Sequence, residues 1–376
     1  MKVWKDSFRK FVLDICHKVL TIISMEINRK RITYLDIMRI VACVLVVMVH
    51  VSAQHLEDIT ISAGSFMVHS AYNTLAFSGV ALYLMISGAL ILDPSKRYSI
   101  KDCVIKSIHT FGLYFFWKLI FMIFDAIQYH QTMDGAFFKE TFINLIKGRG
   151  YYHLWFLPAI AIIYLFVPLI KKSVEDSMKT CIYYVVIFFI LAIMAPTLFN
   201  FDFKFKYTIM DFFNNNDFSL FTGYLGFFVL GHLLHRYGDR LSRKMITIIY
   251  ILGIISLPVA ALLDYSLSSE SIRSMAMNTP FSVPSFIMTT AIFLLIKNIK
   301  WNDRKHNHAS TLAGLTLGIY LIHPMIIIAS SALGLTSASF VAVLSIPVIS
   351  LLITVVSGII IFLLTRIPVI KRLFMF

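Results

Sequence analysis

The sequence predicts an all-α, polytopic membrane protein of about ten transmembrane helices, with both termini in the cytoplasm. Three observations carry that reading. The 376 residues are 58% hydrophobic and only 14% charged, with a mean hydropathy of +0.79, well outside the balance of a soluble globular chain. Apolar runs of about 18–22 residues recur along nearly the whole length, each able to cross ~30 Å of hydrocarbon as a helix. The strands of a β-barrel would alternate in hydrophobicity, and these runs do not. Finally, the basic residues are distributed asymmetrically. If the N-terminus is cytoplasmic, 26 of the 34 Lys/Arg fall in inner segments, six in outer loops, and Arg39 and Lys118 inside spans. The net charge of +14 is thus a topology signal spread over short loops, with no single basic patch for nucleic acid.

Taken in order, residues 1–31 form a basic N-terminal segment. Trp4, Phe8, Phe11, Ile15, Val19 and Ile22 recur at three- to four-residue steps, with Lys5, Arg9, Lys10 and Lys18 mostly off that stripe, which predicts an amphipathic helix on the inner membrane face. The alternative is an unstructured basic tail. No short apolar core ends in a small-residue cleavage site, so no removable signal peptide is expected. The spans follow at 32–53, 71–92, 106–128, 154–171, 180–198, 217–235, 244–263, 281–298, 311–331 and 339–365. The outer loop 129–153 and the polar stretch 199–216 are too short for separate domains. Cys16, Cys43, Cys103 and Cys181 show no CxxC spacing, so neither a disulfide framework nor a metal site is expected.

Ionisable groups inside a bilayer are costly, and those within the spans are therefore the informative ones. In the first span Arg39 and His50 are eleven residues apart, which is three helical turns plus about 20° and ~16 Å of rise. They share one face at different depths. Asp36, one turn before Arg39, lies near that face and can hold the guanidinium. An inner arginine and an outer histidine suit a long phosphorylated thioester entering from the cytoplasm: arginine for phosphate or pantetheine oxygens, histidine at the reactive end. Each residue also has a plain reading, Arg39 as a snorkelling cation and His50 as an interhelical hydrogen-bonding group.

His323, within Gly318-Ile319-Tyr320-Leu321-Ile322-His323-Pro324, falls in the outer half of an outward-running helix, where Pro324 frees a backbone carbonyl. His153, within Tyr151-Tyr152-His153-Leu154-Trp155-Phe156-Leu157-Pro158, stands at the outer mouth of the fourth span, where an aromatic belt is the competing reading. His153, Trp155, Tyr320 and His323 are therefore candidates for lining a cavity at that end of the spans. Lys118 and Asp125, seven residues apart on the third span, are either further cavity groups or structural groups paired with neighbouring helices.

These residues resemble membrane-bound acyltransferase family 3, whose bacterial members O-acetylate surface polysaccharides, enterobacterial common antigen and related glycans. The likeness runs from about residue 32 to the C-terminus. It rests on Tyr34-Leu35-Asp36-Ile37-Met38-Arg39 continuing to His50, on Ser78-Gly79 with Met85-Ile86-Ser87-Gly88-Ala89, and on the His153–Pro158 and Gly318–Pro324 segments, in that order. The resemblance implies an integral membrane acyltransferase domain over 32–376, with His50 catalytic and Arg39 handling acyl-CoA. Many members carry Arg-x-x-Arg near the start of the third helix, for donor binding. This chain has Lys106-Ser107-Ile108-His109, which keeps two groups near one face and loses the bidentate fork.

The implied activity is transfer of an acetyl or related acyl group from acyl-CoA to a sugar hydroxyl of a cell-surface polysaccharide or lipid-linked glycan, in the bacterial cytoplasmic membrane. Acetyl-CoA, or another acyl-CoA, is expected as co-substrate, with no tightly bound cofactor and no metal. His50 is expected to act as the general base that takes the sugar hydroxyl's proton: histidine's ordinary pKa near 6.5 suits that role, and there is no GxSxG nucleophile motif. A transient acyl-histidine is the variant. The rival class is a secondary transporter, which also combines about ten helices with intramembrane Arg, His and Asp and proline-bent segments.

Overall fold

The computed structural model describes residues 32–131, 134–146, 151, 153–215, 219–301 and 306–367. The amphipathic segment expected over residues 1–31 lies outside them. Among the described residues every regular element is helical. The helices are α1 (Thr33–Ala53), α2 (Ala63–Ile91), α3 (Ile100–Gln128), α4 (Gly135–Ile146), α5 (Phe156–Val174), α6 (Met178–Leu198), α7 (Lys206–Asn215), α8 (Ser219–Tyr237), α9 (Arg243–Ser266), α10 (Val283–Asn298), α11 (His306–Ala332) and α12 (Ala342–Leu364). Each of the ten predicted spans falls on one of these. Eight are long and apolar enough to cross a membrane unaided, and α10 is a shorter apolar helix. The chain is a multi-pass membrane protein.

Serine punctuates the starts. The hydroxyls of Ser62, Ser99, Ser177, Ser242 and Ser282 each accept from the backbone N–H three residues on, filling one of the orphan donors of a helix N-terminus. At α3 the Asp102 carboxylate also accepts from the Ser99 amide, completing a capping box. That box explains why α3 begins at Ile100, ahead of the apolar run from 106. The second predicted span likewise starts early, at Ala63. Its extra turns carry His69 and Ser70, polar groups buried against protein partners and so invisible to a search for apolar residues. The fifth predicted span is interrupted by a π-turn over Phe189–Met194, just before Pro196. The loops 129–153 and 199–216 hold the short helices α4 and α7, which hydropathy did not reveal.

Helix α2 is the axis of the bundle. Helices α1, α8, α9 and α10 pack on it, while α11 and α12 enclose the other side of α1. α1 and α2 run antiparallel: the Tyr83 hydroxyl reaches the Arg39 carbonyl at 3.4 Å near one end, and the Asn73 amide donates to Val49 O and Ser52 Oγ, both at 2.9 Å, near the other. Small residues set these contacts. A methyl group at Gly79 would come 2.7 Å from the Ala42 carbonyl oxygen of α1. One at Gly88 would strike the Phe228 carbonyl of α8, and one at Gly231 of α8 would strike the Met85 backbone. At the C-terminal end of α2, Lys171 of α5 donates to the carbonyls of Ile91 (3.1 Å) and Asp93 (2.5 Å). By contrast, α9 and α12 turn Ile254, Leu262, Leu344 and Val355 outward, as lipid-facing helices do.

Candidate active site

The first helix supplies both ends of the site. Toward its start, Arg39 Nη1 donates to the Asp36 carboxylate at 3.3 Å; the carboxylate is buried and the guanidinium one-third exposed. Asp36 therefore holds Arg39 in place, as the one-turn spacing predicts. Lys106 and His109 lie in the first turns of α3, at the same end of the bundle, with Lys106 Nζ 5.9 Å from the centre of the Tyr98 ring.

Three turns along α1, His50 meets α11. These helices run parallel: Cys43 Sγ contacts the Thr316 carbonyl at 3.7 Å, and about two turns further on the His50 and His323 rings are stacked, with centroids 5.2 Å apart and planes 23° from parallel. His153, in the turn ahead of α5, meets His323 edge-on at 5.4 Å and Tyr320 at 5.6 Å. The Tyr320 hydroxyl donates to the His153 carbonyl at 2.5 Å and ties that turn to α11. Sequence-distant histidines from three elements thus converge.

The aromatic-belt reading of His153 is overturned. The residue is buried, between Phe121 at 4.9 Å and the His323 ring, because the turn folds inward over the bundle. It lies outside the spanning segments, and burial first, then the nearby His323 and His50 rings, hold its imidazole well below the ordinary histidine range. Trp155, two residues on, is 37% exposed and packs on Tyr224 at 4.9 Å.

Lys118 and Asp125 share the face that the spacing predicts but have separate partners. Lys118 is buried, and its ammonium donates to the Asn144 carbonyl of α4 (2.9 Å) and the Tyr114 hydroxyl (3.2 Å). The Asp125 carboxylate accepts from the Tyr151 hydroxyl at 2.6 Å. Tyr151 packs on Phe121 at 4.0 Å and meets His153 edge-on at 5.9 Å, so Asp125 reaches the histidines through the Tyr151 ring. Lys118 serves α4.

The family model of an acyltransferase domain, acyltransferase family 3, matches residues 32–366. The chain belongs to membrane-bound acyltransferase family 3. Comparison with curated proteins and with solved structures gives no match. Membership makes this family 3 chain a membrane acyltransferase and displaces the transporter reading.

Two polar clusters of this acyltransferase escaped the sequence reading. In one, the Ser337 hydroxyl, in the α11–α12 loop, hydrogen-bonds His55 Nδ1 (2.9 Å) and His69 Nε2 (3.1 Å), while its amide donates to Gln54 Oε1 (2.9 Å). This network pins together the C-terminal end of α1, the first turns of α2 and the loop that follows α11. In the other, buried Asp264 accepts from Ser70 Oγ (2.7 Å), Asn278 Nδ2 (2.7 Å) and the Met277 amide (2.8 Å), fastening the α9–α10 loop to α2. The signal for His50 was an ionisable residue within a span; His69 and Asp264 lie just outside the predicted spans 71–92 and 244–263 and so fell beyond it. Among the described residues no group of three or more His, Cys, Asp or Glu is arranged to hold a metal ion.

Proposed function

We propose that this chain is an O-acyltransferase that moves an acetyl group from acetyl-CoA to a sugar hydroxyl of a cell-surface polysaccharide or lipid-linked glycan. The observation that carries the proposal is that one helix presents Arg39 at one end and His50, within a cluster of three histidines, at the other, ~16 Å away along the axis. That span matches a donor whose phosphates stay near the cytoplasmic face while its thioester reaches the histidines. Arg39, steadied by Asp36, holds phosphate or pantetheine oxygens, with Lys106 and His109 adding positive or polar character nearby. His50 is the histidine at the reactive end of the donor.

In this mechanism the acceptor oxygen attacks the thioester carbonyl, and an imidazole of the cluster takes the hydroxyl proton. The C–S bond then breaks, and the proton passes to the leaving thiolate, giving the ester and CoA thiol. His153, Tyr320 and His323 border the acceptor, with Trp155 at its outer edge. The enzyme sits in the bacterial cytoplasmic membrane with both termini inside, a topology supported by the 26 basic residues of the inner segments. A reporter fused to the C-terminus that is active only outside the cytoplasm would refute that orientation.

The test is incorporation of radiolabelled acetyl from acetyl-CoA into envelope glycan, using membranes with the wild-type protein, His50→Ala or Arg39→Ala at matched levels. Loss in both variants supports the proposal. Normal incorporation with His50→Ala removes His50 from catalysis, and no incorporation by wild type removes acetyl-CoA as donor.

A further inference from the structure

Pro324 lies inside α11 and has no N–H, so the carbonyl of Tyr320, four residues back, lacks its usual helical donor. A side chain fills the place: His323 Nδ1 is 2.7 Å from Tyr320 O and 3.3 Å from Ile319 O. A carbonyl oxygen can only accept, so Nδ1 carries the proton. In a neutral imidazole this leaves Nε2 as a bare lone pair. His323 is fully buried, and among the described residues Nε2 has no hydrogen-bond partner. A buried acceptor without a donor is costly to leave unmade. It sits on a ring stacked against His50 and met edge-on by His153.

We propose that His323 Nε2 is the atom that takes the acceptor's hydroxyl proton, and that Pro324 is a positioning residue that fixes His323 in the required tautomer. This rests on the acyltransferase reading above and assigns the imidazole left open there. As the sugar oxygen bonds to the thioester carbonyl carbon, its proton moves to Nε2. The resulting imidazolium keeps Nδ1–H on the helix carbonyls. The C–S bond then breaks, and the CoA thiolate takes the proton from Nε2, returning His323 to its starting state. His50 remains on the donor side, next to the thioester. The acceptor is thus a substrate that brings its own O–H donor to a dry, pre-aimed lone pair, as a sugar hydroxyl does.

The test combines turnover with ring-nitrogen spectroscopy on the full chain in detergent. His323→Asn keeps a donor near the Nδ1 position, able to hold the Tyr320 carbonyl, and deletes Nε2. With acetyl-CoA and glycan-bearing membranes, kcat should fall at least about 100-fold while the KM for acetyl-CoA stays within about threefold. Pro324→Ala returns an N–H to the Tyr320 carbonyl and releases the ring; it should lower kcat about tenfold and shift the acid limb of the pH profile, which a packing defect alone would not move. In histidine-¹⁵N-labelled wild type, the signal that His323→Asn removes should show a bare Nε2 and a protonated Nδ1. A His323→Asn enzyme retaining more than a tenth of kcat overturns the proposal, as does a protonated Nε2 in neutral His323. Wild type that transfers no acetyl group defeats the acetyl-CoA-to-glycan reading instead, and the nitrogen spectrum still decides the tautomer.

Discussion

Arg39 donates to the buried carboxylate of Asp36 at 3.3 Å, so the cation nearest the start of α1 is held by a residue one turn away and cannot swing freely. Arg39→Lys keeps the charge and loses the planar fork. The KM for acyl-CoA is expected to rise about tenfold, equivalent to ~1.4 kcal/mol, with kcat changed less than twofold. Asp36→Asn should raise it about threefold, since the fork survives and only its anchor weakens. Steady-state acetyl transfer across a range of donor concentrations checks both, and a fall in kcat at constant KM would contradict the donor-holding role.

The close approach of α2 and α8 gives a stability prediction. Gly88→Ala and Gly231→Ala each drive a methyl group into the partner's backbone, which cannot rotate away as a side chain can. Each should cost about 1–3 kcal/mol. Gly64→Ala, at the start of α2, meets nothing within 4 Å and should be near neutral. Thermal denaturation of the three variants in one detergent separates them, and equal melting temperatures would refute the packing argument.

Asp264 makes a third case. Its three donors come from α2 and from the loop that follows α9, so Asp264→Ala leaves Ser70, Asn278 and the Met277 amide facing a gap. A loss of about 1–3 kcal/mol is expected, together with faster tryptic cleavage after Arg273, whose guanidinium now donates to the Ile61 carbonyl at 3.1 Å. Unchanged cleavage would mean that the carboxylate does not fasten the loop.

Pro347 of α12 leaves the Val343 carbonyl without a backbone donor, and the Tyr72 hydroxyl of α2 donates to it at 2.9 Å. Tyr72→Phe should cost about 1 kcal/mol. Adding Pro347→Ala supplies the missing N–H and should recover most of that loss, so the two changes are expected to be strongly non-additive in a double-mutant cycle.

The spans and the Arg39–His50 axis were legible because both are local: hydropathy is a property of one run, and a shared face follows from spacing on one helix. The family likeness of Gly79 and Gly88 was legible too, although their reason was not, since it lies in the backbones of α1 and α8. Convergence of His50, His153 and His323 depends on how α11 packs on α1, which no single segment encodes. The same holds for His69 and Ser337, and for Asp264, whose partners lie on α2 and in a loop. The partners of Lys118 and Asp125 could not be read from their spacing, since they lie in α4 and in the segment ahead of α5.

The histidine stack joins the first helix to one of the last, and this orders the protein's birth. Synthesis runs from the N-terminus, so α1 enters the membrane with His50 long before α11 exists to meet it. Through most of translation the nascent chain therefore lacks the His50–His323 stack. A chain arrested after α10 should therefore insert and yet be inert. Competence arrives only with about the final fifth of the polypeptide, so activity reports that assembly has finished.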